Sequence, residues 1–423
     1  MRGFTSSWGA NMNSVVNNYS RRLDSFAFFV LLLLSAQGLL NYMFRGTSLE
    51  SWKQLTVVTM FLLSARLVKS RREQIIFYSA VLSGFMLFMF SIIRGIAMLD
   101  AAYNIFFYIS WVPFYFFGLK CNLIHAEKKI AFWSFAIIIM SGIGLMLQLY
   151  TPYLNFLNDD VPAVEYRSQF GDAQRFGLVF VASTIVLPTL GGFFCLFTMM
   201  NGQLILKICC LIFLGIAVIA TGSLGSAIML GGALLIATQR MSLIPRLVFI
   251  FCAIFLVIYL ISGADDVIKT QLDRIATNDN QSDSNSFRIL LWMNAIDLIV
   301  RGDIVQHIVG SGLGTTVEGK FGPAPLSHGE SSFFQAYLEG GVLGLSLRAM
   351  PFILLLRARW APHYAENLIY GCALFVVCSV APLFGAYGIQ CVLAYIAGIA
   401  NQKSLLYKFA PRNRQPLIAL ARV

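Results

Sequence analysis

Apolar runs of near membrane-spanning length, repeated along most of the chain, predict an all-α polytopic membrane protein. About twelve transmembrane helices are expected, with one large outer loop at 264–330 that contains short amphipathic helices. Composition points the same way. Of 423 residues, 58% are hydrophobic and only 12% are charged, about half the charged share of a soluble domain. The mean hydropathy is +0.73. Lys and Arg gather in short segments between the runs, the pattern that sets orientation in a bilayer.

The predicted spans fall near 25–44, 53–68, 74–93, 102–119, 130–149, 176–199, 204–220, 224–239, 247–263, 331–356, 367–386 and 388–402. The pair 204–220 and 224–239 must turn tightly through Thr221-Gly222-Ser223. The chain therefore divides into an N-terminal membrane region, 1–263, with about nine spans, the loop 264–330, and a C-terminal membrane region, 331–423, with about three spans and a basic tail.

With the N-terminus inside, the inner segments hold most of the basic residues, among them Arg21, Arg22, Lys69, Arg71, Arg72, Lys120, Lys128, Lys129, Arg240, Arg246, Arg357, Arg359 and Lys403. The short outer segments hold only Arg45, Lys53, Arg94, Arg167 and Arg175. That asymmetry places both termini in the cytoplasm and residues 150–175 and 264–330 on the outer side. The N-terminal stretch is polar and shows no small-residue cleavage site after a short apolar core, so no removed signal peptide is expected.

Several function classes are excluded on the same grounds. The net charge of +11 is spread over membrane-flanking segments rather than one soluble basic face, which argues against nucleic-acid binding. None of the eight cysteines lies in the large loop, and no CxxC pair or Cys/His cluster with zinc spacing occurs. Asp159-Asp160 and Asp265-Asp266 are adjacent carboxylates, which on a regular element point apart, so no metal site is expected. Gly310-Ser-Gly-Leu-Gly314 lacks the lysine of a phosphate-binding loop and reads as a flexible turn.

The candidate chemistry lies on the outer side. His328 stands where the loop re-enters the membrane, and an imidazole there can accept a proton from an attacking hydroxyl. For a lone histidine, capping the following helix or sitting at the interface is the favoured reading. Glu339 lies inside a span, one turn after Gln335, and an intramembrane carboxylate is a functional candidate. A water-facing or hydrogen-bonded Glu near the interface fits the same pattern. Arg175 opens a span, and Arg288 sits in the amphipathic segment 286–300, one of two such segments with 266–277. Two convergent guanidinium forks suit a diphosphate, whereas either one alone suits a lipid headgroup.

The order of these features resembles the O-antigen polymerase and O-antigen ligase superfamily. The resemblance is carried by Arg288 through Trp292, Asp297-Leu-Ile, Gly310-Ser-Gly-Leu-Gly314, His328 and Glu339-Gly-Gly-Val-Leu-Gly344, with Arg175-Phe-Gly177 upstream, over roughly 170–350. It implies a metal-independent, inverting glycosyltransferase in the bacterial inner membrane, needing no cofactor and acting at the periplasmic face on undecaprenyl-diphosphate-linked oligosaccharides as donor and acceptor. A chain-length regulator is an implied partner. On this resemblance Arg175 and Arg288 bind the diphosphate, His328 is catalytic, and Glu330 and Glu339 support or bind the acceptor.

Two departures stand out. Where relatives often carry Ser-Arg-Gly, this chain has Ser223-Leu224-Gly225, and His328 is followed by Gly329-Glu330 rather than by Asn. The run Glu330-Ser-Ser-Phe-Phe-Gln335 resembles polymerases of O-antigen, capsule or exopolysaccharide repeats more than ligases. The alternatives are a ligase that transfers the glycan to lipid A core and a lipid-linked oligosaccharide flippase. A flippase is disfavoured because the spans carry little charge beyond Glu339 and Arg348.

Overall fold

The computed structural model describes residues 24–36, 52–150, 183–200, 203–239, 241–242, 244–246, 251, 281–316, 331–381, 383 and 387–409. Among them every regular element is a helix. In chain order these are α1 (Asp24–Ser35), α2 (Trp52–Ala65), α3 (Arg71–Ile93), α4 (Met98–Ile109), α5 (Trp111–Lys120), α6 (Leu123–Tyr150) and α7 (Ser183–Met200). They are followed by α8 (Leu204–Thr221), α9 (Leu224–Thr238), α10 (Gln281–Arg301), α11 (Ile304–Val309), α12 (Ser332–Leu356), α13 (Tyr364–Val380) and α14 (Tyr387–Phe409).

Five stretches are long and apolar enough to cross a membrane: α3, Met98–Lys120 (α4 with α5), Ala126–Gln148 within α6, α8 and α12. Shorter apolar helices accompany them at Asp24–Ser35, Ile185–Met200, Leu224–Thr238 and Tyr364–Val380. The predicted span at 247–263, apart from residue 251, and the amphipathic segment at 266–277 lie outside the described residues. The other amphipathic segment, 286–300, falls within α10, which begins five residues earlier, at Gln281.

The helices sort by which faces they bury. α14 is buried all round from Gly388 to Ala400, and α5 from Trp111 to Leu119, so these two form the centre of the bundle. They cross at small residues: a Cβ at Gly118 would meet the Tyr395 carbonyl, and one at Gly398 the Tyr115 carbonyl. Such close backbone approach is how helices associate where lipid removes the usual hydrophobic drive. At the periphery, α3 buries Phe77, Ala80, Gly84, Leu87 and Ser91 while exposing Tyr78, Leu82, Phe85, Met89 and Ile93. Both stripes repeat at helical spacing and the exposed one is apolar, the pattern of a lipid-facing helix.

Several polar ties join segments between the helices. Ser70 caps α3 in a reciprocal capping box with Glu73, and Glu73 also accepts from Lys120 Nζ at 2.6 Å. Asp24 accepts from the Asn122 amide at 2.9 Å, and Lys403 Nζ reaches the Met199 carbonyl at 3.1 Å. Arg246 caps the end of α9 through the carbonyls of Thr238, Gln239 and Met241.

The remaining boundaries have local causes. Between α8 and α9 the chain turns through Gly222 in the left-handed region (φ 55°), its amide bonded to the Val218 carbonyl, as the Thr221-Gly222-Ser223 turn requires. Pro113 has no amide for the Ile109 carbonyl, which accounts for the break between α4 and α5. α13 ends at Val380 rather than near 386, because Ala381 precedes a proline and is extended (φ −146°, ψ 145°). α14 in turn runs on to Phe409, beyond the 402 expected from hydropathy.

Candidate functional site

The site forms where α12 is broken. Gly341 has φ 59° and ψ −152°, which ends the helical ladder within Ser332–Leu356. The freed carbonyls of Leu338 and Glu339 accept instead from the amides of Ser311 (2.8 Å) and Gly312 (3.0 Å). The glycine turn after α11 thus docks onto the kink, main chain against main chain. A Cβ at Gly310 would collide with the Glu339 backbone, and one at Gly341 with Ile308 and Val309. Gly310, Gly312 and Gly314 all have positive φ (73°, 116° and 81°), so each needs glycine for conformation as well as for space. The turn expected to be flexible is a packed joint. Its amides are used by α12, and the Leu313 amide is used by Ser91 Oγ of α3 at 3.0 Å.

Glu339 lies beneath this joint, 2% exposed. Its carboxylate accepts from Tyr108 Oη of α4 at 2.7 Å, from Thr316 Oγ1 at the end of the glycine turn, and from Gln335 Nε2 at 3.3 Å. The Arg348 guanidinium, buried further along α12, lies 4.2 Å over the Tyr108 ring, a cation–π distance. Gly340 and Gly344 leave the room that the Tyr108 ring fills. Two helices, α4 and α12, and a loop are therefore fastened through one carboxylate with three donors. A buried carboxylate bonded in this way ties the segments around it together.

The opposite face of α12 differs. Tyr337, two residues from Glu339 and so turned away from it, meets His307 of α11, with Nδ1 and Oη 2.8 Å apart and ring centroids at 6.2 Å. They line a cavity of about 70 Å³ with Leu298, Ile299, Gly302, Gln306, Ser311 and Leu338. α11 is set by the Asp303 capping box with Gln306, and Asp303 also faces Arg94 of the α3–α4 connection at 3.9 Å. On α10, Ile289, Met293, Ile296 and Val300 form an exposed apolar stripe that continues through Ile304 and Ile308 of α11.

Of the residues singled out from sequence, Glu339 is placed as above. Arg288 lies on α10, of which only the backbone is described at that position. Arg175, His328 and Glu330 lie outside the described residues. The chain positions that flank His328 and Glu330 are well held. Thr316 bonds to Glu339, and Ser331 caps α12 by accepting from the Phe333 and Phe334 amides. Ser332 next to it donates to the Ala381 carbonyl at 2.7 Å and accepts from the Leu383 amide at 2.8 Å. Tyr108, Thr316, His307 and Tyr337 were not singled out from sequence. Among the described residues no group of three or more His, Cys, Asp or Glu side chains could hold a metal.

Residues 209–349 match the family model described as O-Antigen ligase. This stretch belongs to the O-antigen polymerase and ligase superfamily. Superfamily members are glycosyltransferase-like membrane enzymes. The matched stretch holds α9, α10, α11, the glycine turn, Arg288, His328, Glu339 and Arg348, whereas Arg175 and Tyr108 lie upstream of it. No curated protein and no solved structure matches the chain.

Proposed function

We propose that this protein is a polysaccharide repeat-unit polymerase of the bacterial inner membrane, acting at the periplasmic face on undecaprenyl-diphosphate-linked oligosaccharides. The observation that carries the reading is the superfamily match over the stretch that holds Arg288, His328 and the joint built on Glu339. In the proposed reaction an acceptor hydroxyl of one lipid-linked repeat attacks the anomeric carbon of the lipid-linked chain. The bond from that carbon to the diphosphate oxygen breaks, and undecaprenyl diphosphate leaves with the electron pair. The hydroxyl proton passes to His328, and one displacement inverts the anomeric centre. Arg175 and Arg288 balance the charge growing on the leaving diphosphate, so the reaction needs no metal.

In this reading both termini are cytoplasmic, the span count is about twelve, and the loop 264–330 covers the periplasmic mouth of the site. The apolar stripe of α10 and α11 suits the membrane interface, where the lipid-linked substrate lies. Glu339 is a positioning residue: through Thr316 it holds the joint from which the His328 segment departs.

The test uses purified protein in nanodiscs with an undecaprenyl-diphosphate-linked repeat, products being resolved as a ladder on a gel. Arg288→Ala and His328→Ala are expected to abolish the ladder, and EDTA is expected to leave it unchanged. Normal ladders from both variants at parental protein levels, or loss of activity with EDTA, would overturn the reading. The second reading, a ligase, is favoured by the description of the matching family. It requires lipid A core as acceptor, so it makes product only when that acceptor is added.

A further inference from the structure

The cavity between α10, α11 and α12 is chemically unlike the joint behind it. Its lining is Leu298, Ile299, Gly302, Gln306, His307, Ser311, Tyr337 and Leu338, with no carboxylate, ammonium or guanidinium. His307 Nδ1 is engaged by Tyr337 Oη, which orients the ring and leaves Nε2 as the nitrogen for another partner. Gln306 spends its side-chain oxygen on the Asp303 amide, which leaves its Nε2 amide available. The Ser311 amide is committed to the Leu338 carbonyl, while its hydroxyl forms no bond with another described residue. Three polar hydrogen-bonding groups thus border one opening, beside an aromatic edge and aliphatic walls.

This set fits a hydroxylated, uncharged ligand. A phosphate would find no fixed cation, and a purely apolar ligand would strand the imidazole, amide and hydroxyl. A sugar matches both halves, with its hydroxyls on the polar groups and its C–H face on Leu298, Ile299 and Tyr337. The volume of about 70 Å³ is too small for a whole pyranose ring but takes one substituent, such as a hydroxymethyl or acetamido group.

We propose that this cavity is a saccharide subsite that reads one neutral substituent of the glycan, with His307 as its main hydrogen-bonding group and Tyr337 holding the imidazole in place. The proposal rests on the glycosyltransferase reading and adds the substrate feature that the protein selects. α11 leads directly into the glycine turn that docks on α12, so a substituent bound by His307 is registered against the same joint that holds Thr316.

Binding can be read without turnover. Purified full-length protein in nanodiscs is mixed in turn with glucose, galactose, N-acetylglucosamine, N-acetylgalactosamine and rhamnose, and saturation-transfer NMR is recorded. At least one sugar is expected to give transfer, strongest at the protons of one exocyclic substituent. His307→Gln and Tyr337→Phe are each expected to weaken it about five-fold or more, with thermal midpoints close to the parent. Tyr337→Phe keeps the ring packing, so it decides the matter alone if His307→Gln fails to fold. No transfer from any of the five sugars, or transfer unchanged in Tyr337→Phe, would overturn the proposal. A protein that binds sugar in this way but never extends a lipid-linked repeat contradicts the polymerase reading alone.

Discussion

The two faces of α12 are built from residues only two positions apart, yet they do opposite things. On one face the Glu339 carboxylate is buried and takes hydrogen bonds from Tyr108, Thr316 and Gln335. On the other, His307 and Tyr337 bond to each other and face a cavity. A buried polar cluster closed on itself by hydrogen bonds rigidifies its surroundings. One that keeps polar atoms at an opening can receive a ligand. In the proposed reading Glu339 holds the site together and His307 contacts substrate, although the carboxylate is the more conspicuous residue in sequence.

Substitutions break this comparison in graded steps. Glu339→Ala removes the acceptor from three donors at once and is expected to destabilise the folded protein by roughly 3–5 kcal/mol. Its mark is a large fall in the thermal midpoint and in the monodisperse fraction after extraction. Glu339→Gln keeps the shape and lets both hydroxyls re-orient, so most of the loss should be recovered. Gly341→Ala places a Cβ against Ile308 at a left-handed position, and roughly 2 kcal/mol of destabilisation is expected. The glycine turn should then exchange its Ser311 and Gly312 amides with deuterium faster than in the parent.

Tyr108→Phe is milder. It keeps the ring beneath Arg348 and removes only the hydroxyl bond to Glu339, for about 1–2 kcal/mol in the same melt. The smallest effect on stability is expected from His307→Gln, within about 0.5 kcal/mol. In a polymerisation assay this variant should show a raised KM for the lipid-linked repeat with kcat largely retained. Equal losses of stability in Glu339→Ala and His307→Gln would erase the distinction between the two faces.

Much of the helical layout was legible in the sequence because its signal is local. The runs 74–93, 204–220, 224–239 and 331–356 are each decided by their own hydropathy, and α3, α8, α9 and α12 lie close to them. The break at Gly341 was not legible, since a Gly-Gly pair is tolerated in membrane helices and only the docked turn shows why the chain bends there. The Tyr108–Glu339 bond joins residues 231 positions apart, and nothing near Tyr108 announces it. His307 and Tyr337 meet across 30 residues because the glycine turn folds α11 back onto α12. The available clue was a histidine one turn before three glycines at alternate positions. The superfamily motif pointed to His328 and Arg288 because it preserves residue order, which a reader of sequence can see.

The most direct test of the central claim supplies the parent protein, in nanodiscs, with undecaprenyl-diphosphate-linked repeats and no other acceptor. The expected result is a ladder of lipid-linked products one repeat apart, with one undecaprenyl diphosphate released per bond formed. Repeats that stay monomeric, or that move only after lipid A core is added, would contradict the polymerase assignment.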